Sequence, residues 1–284
     1  MPPADEDLVA QYADASSLAD RGSFNERFST ADRHPHRWLF DHVEVPAEGT
    51  VVEVGCGNGS LWAANADRIP GGVEAVLTDV SPGMVRDARD RLREAGVDAG
   101  VRHAAGDAGT SPDGAPVVRY AVAEAGAVPV RDGAADVAFA NQMLYHVPDL
   151  DAAVRELRRV LAGDGVLYAT ARTRRSKRRL FEIADETLDD DVTPPNAGST
   201  FVVENGRAAL ERAFDDVRLH TLDSSAVVDD PDALVAYLAS MREFAGVPEF
   251  GPAAADRLRE RFAAETADGP LVLQGLFGAF EARP

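Results

Sequence analysis

Val51-Val52-Glu53-Val54-Gly55-Cys56-Gly57-Asn58-Gly59-Ser60-Leu61-Trp62 is the stretch from which the rest of the chain can be read. A short strand-favouring run meets glycines at 55, 57 and 59 and passes at once into a helix start. Glycine lets a backbone approach a ligand closely, and a helix N-terminus aims unpaired N–H groups at it. The spacing departs from the dinucleotide fingerprint G-x-G-x-x-G, and Glu53 stands where a carboxylate would repel a pyrophosphate. A ligand carrying an ammonium and a sulfonium suits that acid better. Asp79 ends the next apolar run, 22 residues after Gly57, where a carboxylate can accept from both hydroxyls of a ribose. Taken singly, Glu53 could cap a loop and Asp79 begin a turn; it is their combination with three glycines that favours a ligand site.

Outward from this segment, short apolar runs alternate with amphipathic stretches, the pattern of βα units around a parallel sheet. Strands are predicted at 51–54, 75–78, 117–122, 136–140 and 166–170. Ser81 and Pro82 supply an N-cap and a first-turn proline, and Val85, Ala88, Leu92 and Ala95 follow at helical spacing. Leu150, Val154, Leu157 and Leu161 form a second helical face, after which Gly163-Asp164-Gly165 turns the chain into the next strand. Beyond Arg172 come a basic run, an acidic stretch at 185–191, the breaker Pro194-Pro195, helices near 204–214, 231–244 and 252–266, and late strands at 217–222 and 277–282. Residues 1–48, with Leu8, Tyr12, Leu18, Phe24, Phe28, Trp38, Leu39 and Phe40 scattered among charges, read as a helical cap over one α/β domain of residues 49–284.

Composition narrows the function classes. With 45% hydrophobic and 27% charged residues, collagenous and disordered classes are excluded. The acidic opening MPPADEDLVA does not suit an export signal, and the longest apolar-looking stretch, 271–280, is too short to span a membrane, so a cytoplasmic location is expected. One cysteine rules out a disulfide framework and a multi-cysteine zinc site. A net charge of −19 repels nucleic acid and anionic lipid over most of the surface. Only Lys177 among 29 basic residues is a lysine, and an acid-rich, lysine-poor surface points to a halophilic source.

Four motifs, VVEVGCGNG, LTDVSPGMV, AEAGAVPVRDGAADVAFANQMLYHVPD and ELRRVLAGDGVLYAT, resemble those of class I S-adenosylmethionine-dependent methyltransferases, in the type 11 or ubiquinone/menaquinone-biosynthesis-like group. The resemblance covers about residues 10–245. It implies a seven-stranded Rossmann-like sheet with helices on both faces and the last strand antiparallel. It further implies that Gly55, Cys56, Gly57 and Gly59 line the methionine portion of S-adenosylmethionine, with Glu53 at its amino end and Asp79 on the ribose. Val80 and Met84 would flank the adenine, and Asn141, Gln142 and Met143 would meet the methionine end from the fourth strand. For the adenine amino group, Asp107-Ala108 and Glu124-Ala125 compete. Glu124 and Ala125 are preferred because Arg131-Asp132-Gly133 and the next strand follow directly, which leaves 97–116 as an insertion. Tyr12 and Arg21 in the cap would close over the cofactor.

Tyr145 and His146 are the candidate catalytic pair, since an imidazole can serve as general base near neutrality; pinning the Pro148 turn is the competing role for His146. His34, His36 and Asp41 lack a third strong ligand at useful spacing, so no metal is expected and they read as cap surface. The basic run Arg172, Arg174, Arg175, Lys177, Arg178 and Arg179, within a further cap insertion at 172–200, reads as a solvated helix face or as a site for an anionic group or RNA.

The resulting expectation is direct methyl displacement onto a small-molecule acceptor, with no DNA or membrane partner. An RNA methyltransferase using 172–179 is the alternative, and a non-catalytic cofactor-binding sensor or partner subunit is the other. At about 1 M salt the Debye length falls to roughly 3 Å, which shortens the self-repulsion of so acidic a chain. The melting temperature is therefore expected to rise from dilute buffer to molar KCl in a thermal scan; a flat or falling curve removes the halophilic reading.

Overall fold

The computed structural model describes residues 16–97, 116–188, 200–241 and 250–284, and the side chains of these apart from residues 16–21. Strands β1 (Glu48–Val54), β2 (Gly72–Asp79), β3 (Val117–Val122), β4 (Ala135–Asn141), β5 (Leu161–Arg172), β6 (Asp216–Asp223) and β9 (Leu276–Arg283) form one sheet in the order β3-β2-β1-β4-β5-β9-β6. The first five are mutually parallel, and β9 runs antiparallel between β5 and β6. Val51, Val52, Ala75, Leu77, Val137 and Ala138 are almost wholly buried, as strands covered on both faces require. From β1 the chain steps outward to β2 and β3, then returns to β4 and continues to β5 on the other side. The carboxyl ends of β1 and β4 thus flank the switch point, where open α/β sheets bind ligands.

Helices α4 (Pro82–Glu94) and α5 (Leu150–Val160) start as the sequence predicts. Ser81 Oγ accepts from the Met84 amide at 3.3 Å, and Asp149 Oδ1 accepts from the Ala152 amide at 2.9 Å. Val154 and Leu157 of α5 cover one face of the sheet together with Val52, Leu167 and Phe280. The other face carries Leu61 and Trp62 of α3 (Ser60–Ala63) and Ala88 and Leu92 of α4, with Leu39 and Phe40 of α2 (Pro35–Phe40). A third core lies off the sheet, where Phe24 and Phe28 of α1 (Ser16–Phe28) meet α6 (Arg178–Leu188), α8 (Pro231–Ser240) and α9 (Pro252–Glu265). The small pair β7 (Ala226–Val228) and β8 (Leu271–Leu273) closes that core.

Several expectations change. Gly163-Asp164-Gly165 does not precede β5 but lies within it as an irregularity, where the pairing jumps from Ala135↔Leu161 to Val137↔Val166. A Cβ on Gly165 would come within 2.8 Å of the Ala135 carbonyl oxygen, so the bend needs that glycine. The helix expected at 204–214 shortens to α7 (Gly206–Leu210), whereas α6 and the β7–β8 pair carry too little contrast in the sequence to be read. Leu39 and Phe40 are core residues and not lid, with the Phe40 ring stacked on Phe139 at 5.7 Å. Lys177, at the start of the expected basic face, is instead 2% exposed: its Nζ donates to Asn25 Oδ1 at 2.9 Å and lies over the Tyr237 ring at 5.2 Å. Burial, aided by the nearby Arg172 charge, lowers that amine to about 7. No described helix is long and apolar enough to cross a membrane.

One polar contact inside the core fixes the start of the glycine loop. Glu53 is 1% exposed, and its Oε2 accepts from Trp62 Nε1 at 2.6 Å, locking the end of β1 to α3 across the turn between them. Burial pushes this carboxyl up to about 8, the Trp62 N–H opposes the rise, and neighbouring Asp79 adds to it. A folded-state pKa above the unfolded one means that the neutral form stabilises the fold at acid pH, and that this contribution fades as pH rises through about 8. Glu53→Gln keeps an acceptor for Trp62 and cannot ionise. Denaturant midpoints of the variant minus wild type should therefore climb between about pH 4.5 and 8; a difference that stays constant over that range overturns the neutral-acid assignment.

Candidate functional site

Three consecutive reversals build the loop after β1. Gly55, Gly57 and Gly59 have φ of +68°, +52° and +74°, a region that side chains with a Cβ rarely occupy. Gly59 must also be bare because α4 passes close by: a Cβ there would stand 2.6 Å from Leu92 and 3.1 Å from the Ala88 backbone. Gly57 differs, since a Cβ on it would meet nothing within 4 Å. Its open face borders the switch point.

Asp79 ties this loop to β2. Oδ2 accepts from the Gly57 amide at 2.9 Å and Oδ1 from the Ser81 amide at 2.9 Å, while the Cys56 amide donates to the Thr78 carbonyl at 2.9 Å. Each carboxylate oxygen retains a lone pair for a ligand hydroxyl. Burial raises the Asp79 pKa, and the backbone donors from Ser81, Gly57 and Val80 oppose the rise. Beside it the Ala123 amide donates to the Asp79 carbonyl at 3.0 Å, which brings Glu124 and Ala125 to the end of β3 next to Asp79, both half-buried. Val80 is half-buried at the same edge, whereas Met84 is 1% exposed.

The fourth strand delivers a second group of residues. Gly55 meets Met143, whose Cβ would lie 2.7 Å from a Cβ at that glycine. Gln142 adopts φ +55°, a strained value for a side-chain-bearing residue, and is held there by its amide donating to Thr170 Oγ1 at 2.9 Å. Thr170 in turn donates to Asn141 Oδ1 at 2.7 Å. Tyr145 and His146 follow in a single turn of 3-10 helix, their rings 4.3 Å apart, at the rim of the same edge.

Glu53, Gly55, Cys56, Gly57, Gly59, Asp79, Val80, Glu124, Ala125, Asn141, Gln142 and Met143 thus gather around one sheet edge. In the chain alone, however, Glu53 does not present an open carboxylate, because it is sealed against Trp62. Burial likewise keeps the Cys56 thiol protonated, and its Sγ donates to the Gly57 carbonyl at 3.5 Å. Tyr12, the Arg21 side chain, Asp107 and most of 97–116 lie outside the described residues. Asp41 is occupied by Arg33 and Arg68, and the described residues hold no cluster of metal-ligating type.

His36 is the residue that the sequence reading misplaced. Far from being cap surface, it sits at the edge of the site, its Nε2 3.5 Å from Asn141 Nδ2 and its Nδ1 closed off from solvent. Pro35 starts α2, and His36 lies one turn before Leu39 and Phe40 on the same helix face. Had those two been read as core, His36 would have followed them inward.

The profile described as "Methyltransferase domain" matches residues 52–169. The chain is 31% identical over 243 residues to the malonyl-[acyl-carrier protein] O-methyltransferase of Geobacter sulfurreducens, covering 80% of this chain and 76% of that protein. It is 30% identical to the ubiquinone/menaquinone biosynthesis C-methyltransferase of Idiomarina loihiensis over 45% of each. A crystal structure of a methyltransferase from Bacillus halodurans superposes with a TM-score of 0.58 at 15% identity, covering 88% of this chain and 98% of that one, a likeness of fold. With the glycine loop, the acid at the end of β2 and the seven-stranded order in place, the chain belongs to the class I S-adenosylmethionine-dependent methyltransferases.

Proposed function

We propose that this enzyme moves the methyl group of S-adenosylmethionine directly onto a small-molecule acceptor lying over the ends of β4 and β5. The observation that carries the cofactor half is the open face of Gly57 beside Asp79, a cradle that a side chain at 57 would fill. Gly55, Cys56 and Gly57 would offer backbone to the methionine portion and Asp79 its carboxylate to the ribose. Val80, Glu124 and Ala125 would border the adenine. Bound there, the sulfonium supplies an activated methyl group, and no further cofactor is required. What the chain contributes is alignment of acceptor and methyl along one line and exclusion of water. Asn141 and Gln142, fixed through Thr170, stand between the two halves of the site, and Tyr145 and His146 border the acceptor half; His146 is the candidate base where the acceptor must lose a proton.

The acid surplus and the near absence of lysine support placing the enzyme in a high-salt cytoplasm. The small-molecule reading is supported by how the basic run is used. Arg178 pairs with Glu182 at 2.8 Å, Arg179 reaches Glu186 at 3.5 Å and Glu265 at 3.2 Å, and Lys177 is buried, so three of the six cations are already engaged within the chain. High salt further weakens the counterion release on which RNA binding depends.

Asp79→Ala removes a charged acceptor and should weaken cofactor binding by about 1.5 to 3 kcal/mol, roughly tenfold to a hundredfold in Kd by calorimetry. A thermal scan of the same variant separates this from loosening of Gly57; unchanged affinity in a folded variant overturns the ribose role. Incubation with labelled cofactor should place label in a small-metabolite extract. Label in total RNA, lost when Arg174, Arg175 and Arg178 become Ala, overturns the choice of acceptor class.

A further inference from the structure

His36, Thr170 and Arg172 lie at the carboxyl edge of β4 and β5, beyond the residues assigned to the cofactor. Thr170 and Arg172 are two apart on one strand and so share a face of the sheet. Thr170 receives the Gln142 amide at 2.9 Å and passes its own proton to Asn141 Oδ1 at 2.7 Å, which turns the Asn141 NH2 toward His36 Nε2, 3.5 Å away. That chain of donors leaves the proton of a neutral His36 on Nδ1, a buried donor with no hydrogen-bond partner of normal geometry among the described residues. Trp38 of α2 packs edge-on against Phe277, the cross-strand neighbour of Arg172, at 5.8 Å, so helix and strand end are held together here.

The electrostatics of this spot run against those of the molecule. In a chain of net charge −19, no carboxylate comes within 4 Å of the Arg172 guanidinium among the described residues. Its charge is felt by both His36 and Lys177, and neither of them feels an acid among the described residues. Burial first and then His34 hold the His36 imidazole down at about 3, the Ser60 backbone opposes them, and Arg172 adds the smallest share, so near neutrality the ring is uncharged. Lys177 is sealed under the aromatic rings of α1 and α8 and contributes field without contact. A half-buried guanidinium without an acid partner among the described residues, beside a neutral imidazole in an otherwise acidic chain, is a receptor for anionic oxygens.

We propose that the acceptor is a carboxylate-bearing small molecule, whose anionic end is received by Arg172 beside the neutral His36 and the cofactor. This rests on the methyltransferase reading above and adds the acceptor's chemical class. The experiment uses the full chain saturated with S-adenosylhomocysteine, titrated at fixed salt with a panel of aliphatic and aromatic mono- and dicarboxylates, their amides, and phosphate monoesters. Carboxylates should bind at least tenfold tighter than the matching amides. Arg172→Gln should abolish that preference while S-adenosylhomocysteine affinity stays within about twofold, and Arg172→Lys, which keeps the charge without the planar fork, should restore part of it. Equal binding of amides, tighter binding of phosphate monoesters, or a preference that survives Arg172→Gln overturns the proposal with the cofactor reading intact. Failure of wild type to bind S-adenosylhomocysteine overturns both.

Discussion

The hydrogen bond from the Gly57 amide to Asp79 Oδ2 joins the two ends of the first βα unit, and most of the site's geometry depends on it. The loop it holds is made of left-handed glycines with no preference of their own for this path. One carboxylate oxygen restrains it, and the other restrains Ser81, the residue that caps α4. Strand end, glycine loop and helix start therefore move as one body. The Glu53–Trp62 contact acts from below in the same sense, fixing α3 to the strand from which it departs.

Around this clamp the sheet divides the work. The β1–β2 side supplies backbone and one acid; the β4–β5 side supplies side chains that hold one another in register through Thr170. The strained Gln142 backbone belongs to that second side, and its conformation survives because the Thr170 hydroxyl accepts from both its main-chain and side-chain nitrogens, at 2.9 and 3.3 Å. A site assembled from two strands on either side of a switch point can change its acceptor by altering one side while leaving the other untouched.

The parts legible in the sequence are those set by local rules. Ser81-Pro82 announced its helix because capping is a matter of a few adjacent residues, the spacing of Leu150, Val154 and Leu157 announced the next, and β3 at 117–122 falls where the apolar run lies. What could not be read depends on tertiary placement. Gly163-Asp164-Gly165 carries the composition of a turn, yet the neighbouring Ala135 carbonyl turns it into an irregularity within β5. Glu53 looked like an available charge, and only burial against Trp62 makes it a neutral acid. His36 sits among charged residues in sequence, and it is the docking of Leu39 and Phe40 that carries it to the sheet edge.

The chain has one cysteine and one lysine, and both are buried, Cys56 in the glycine loop and Lys177 beneath the helices of the outer core. In the native state neither side chain meets a reagent in solution, so labelling at Cys56 by a thiol probe and at Lys177 by an amine probe occurs only when the structure around them opens. Each reports on a different region, one on the loop at the sheet's switch point and the other on the packing of α1, α6 and α8. The two labelling rates, followed in one sample, would tell whether these cores breathe together or separately, without any engineered probe.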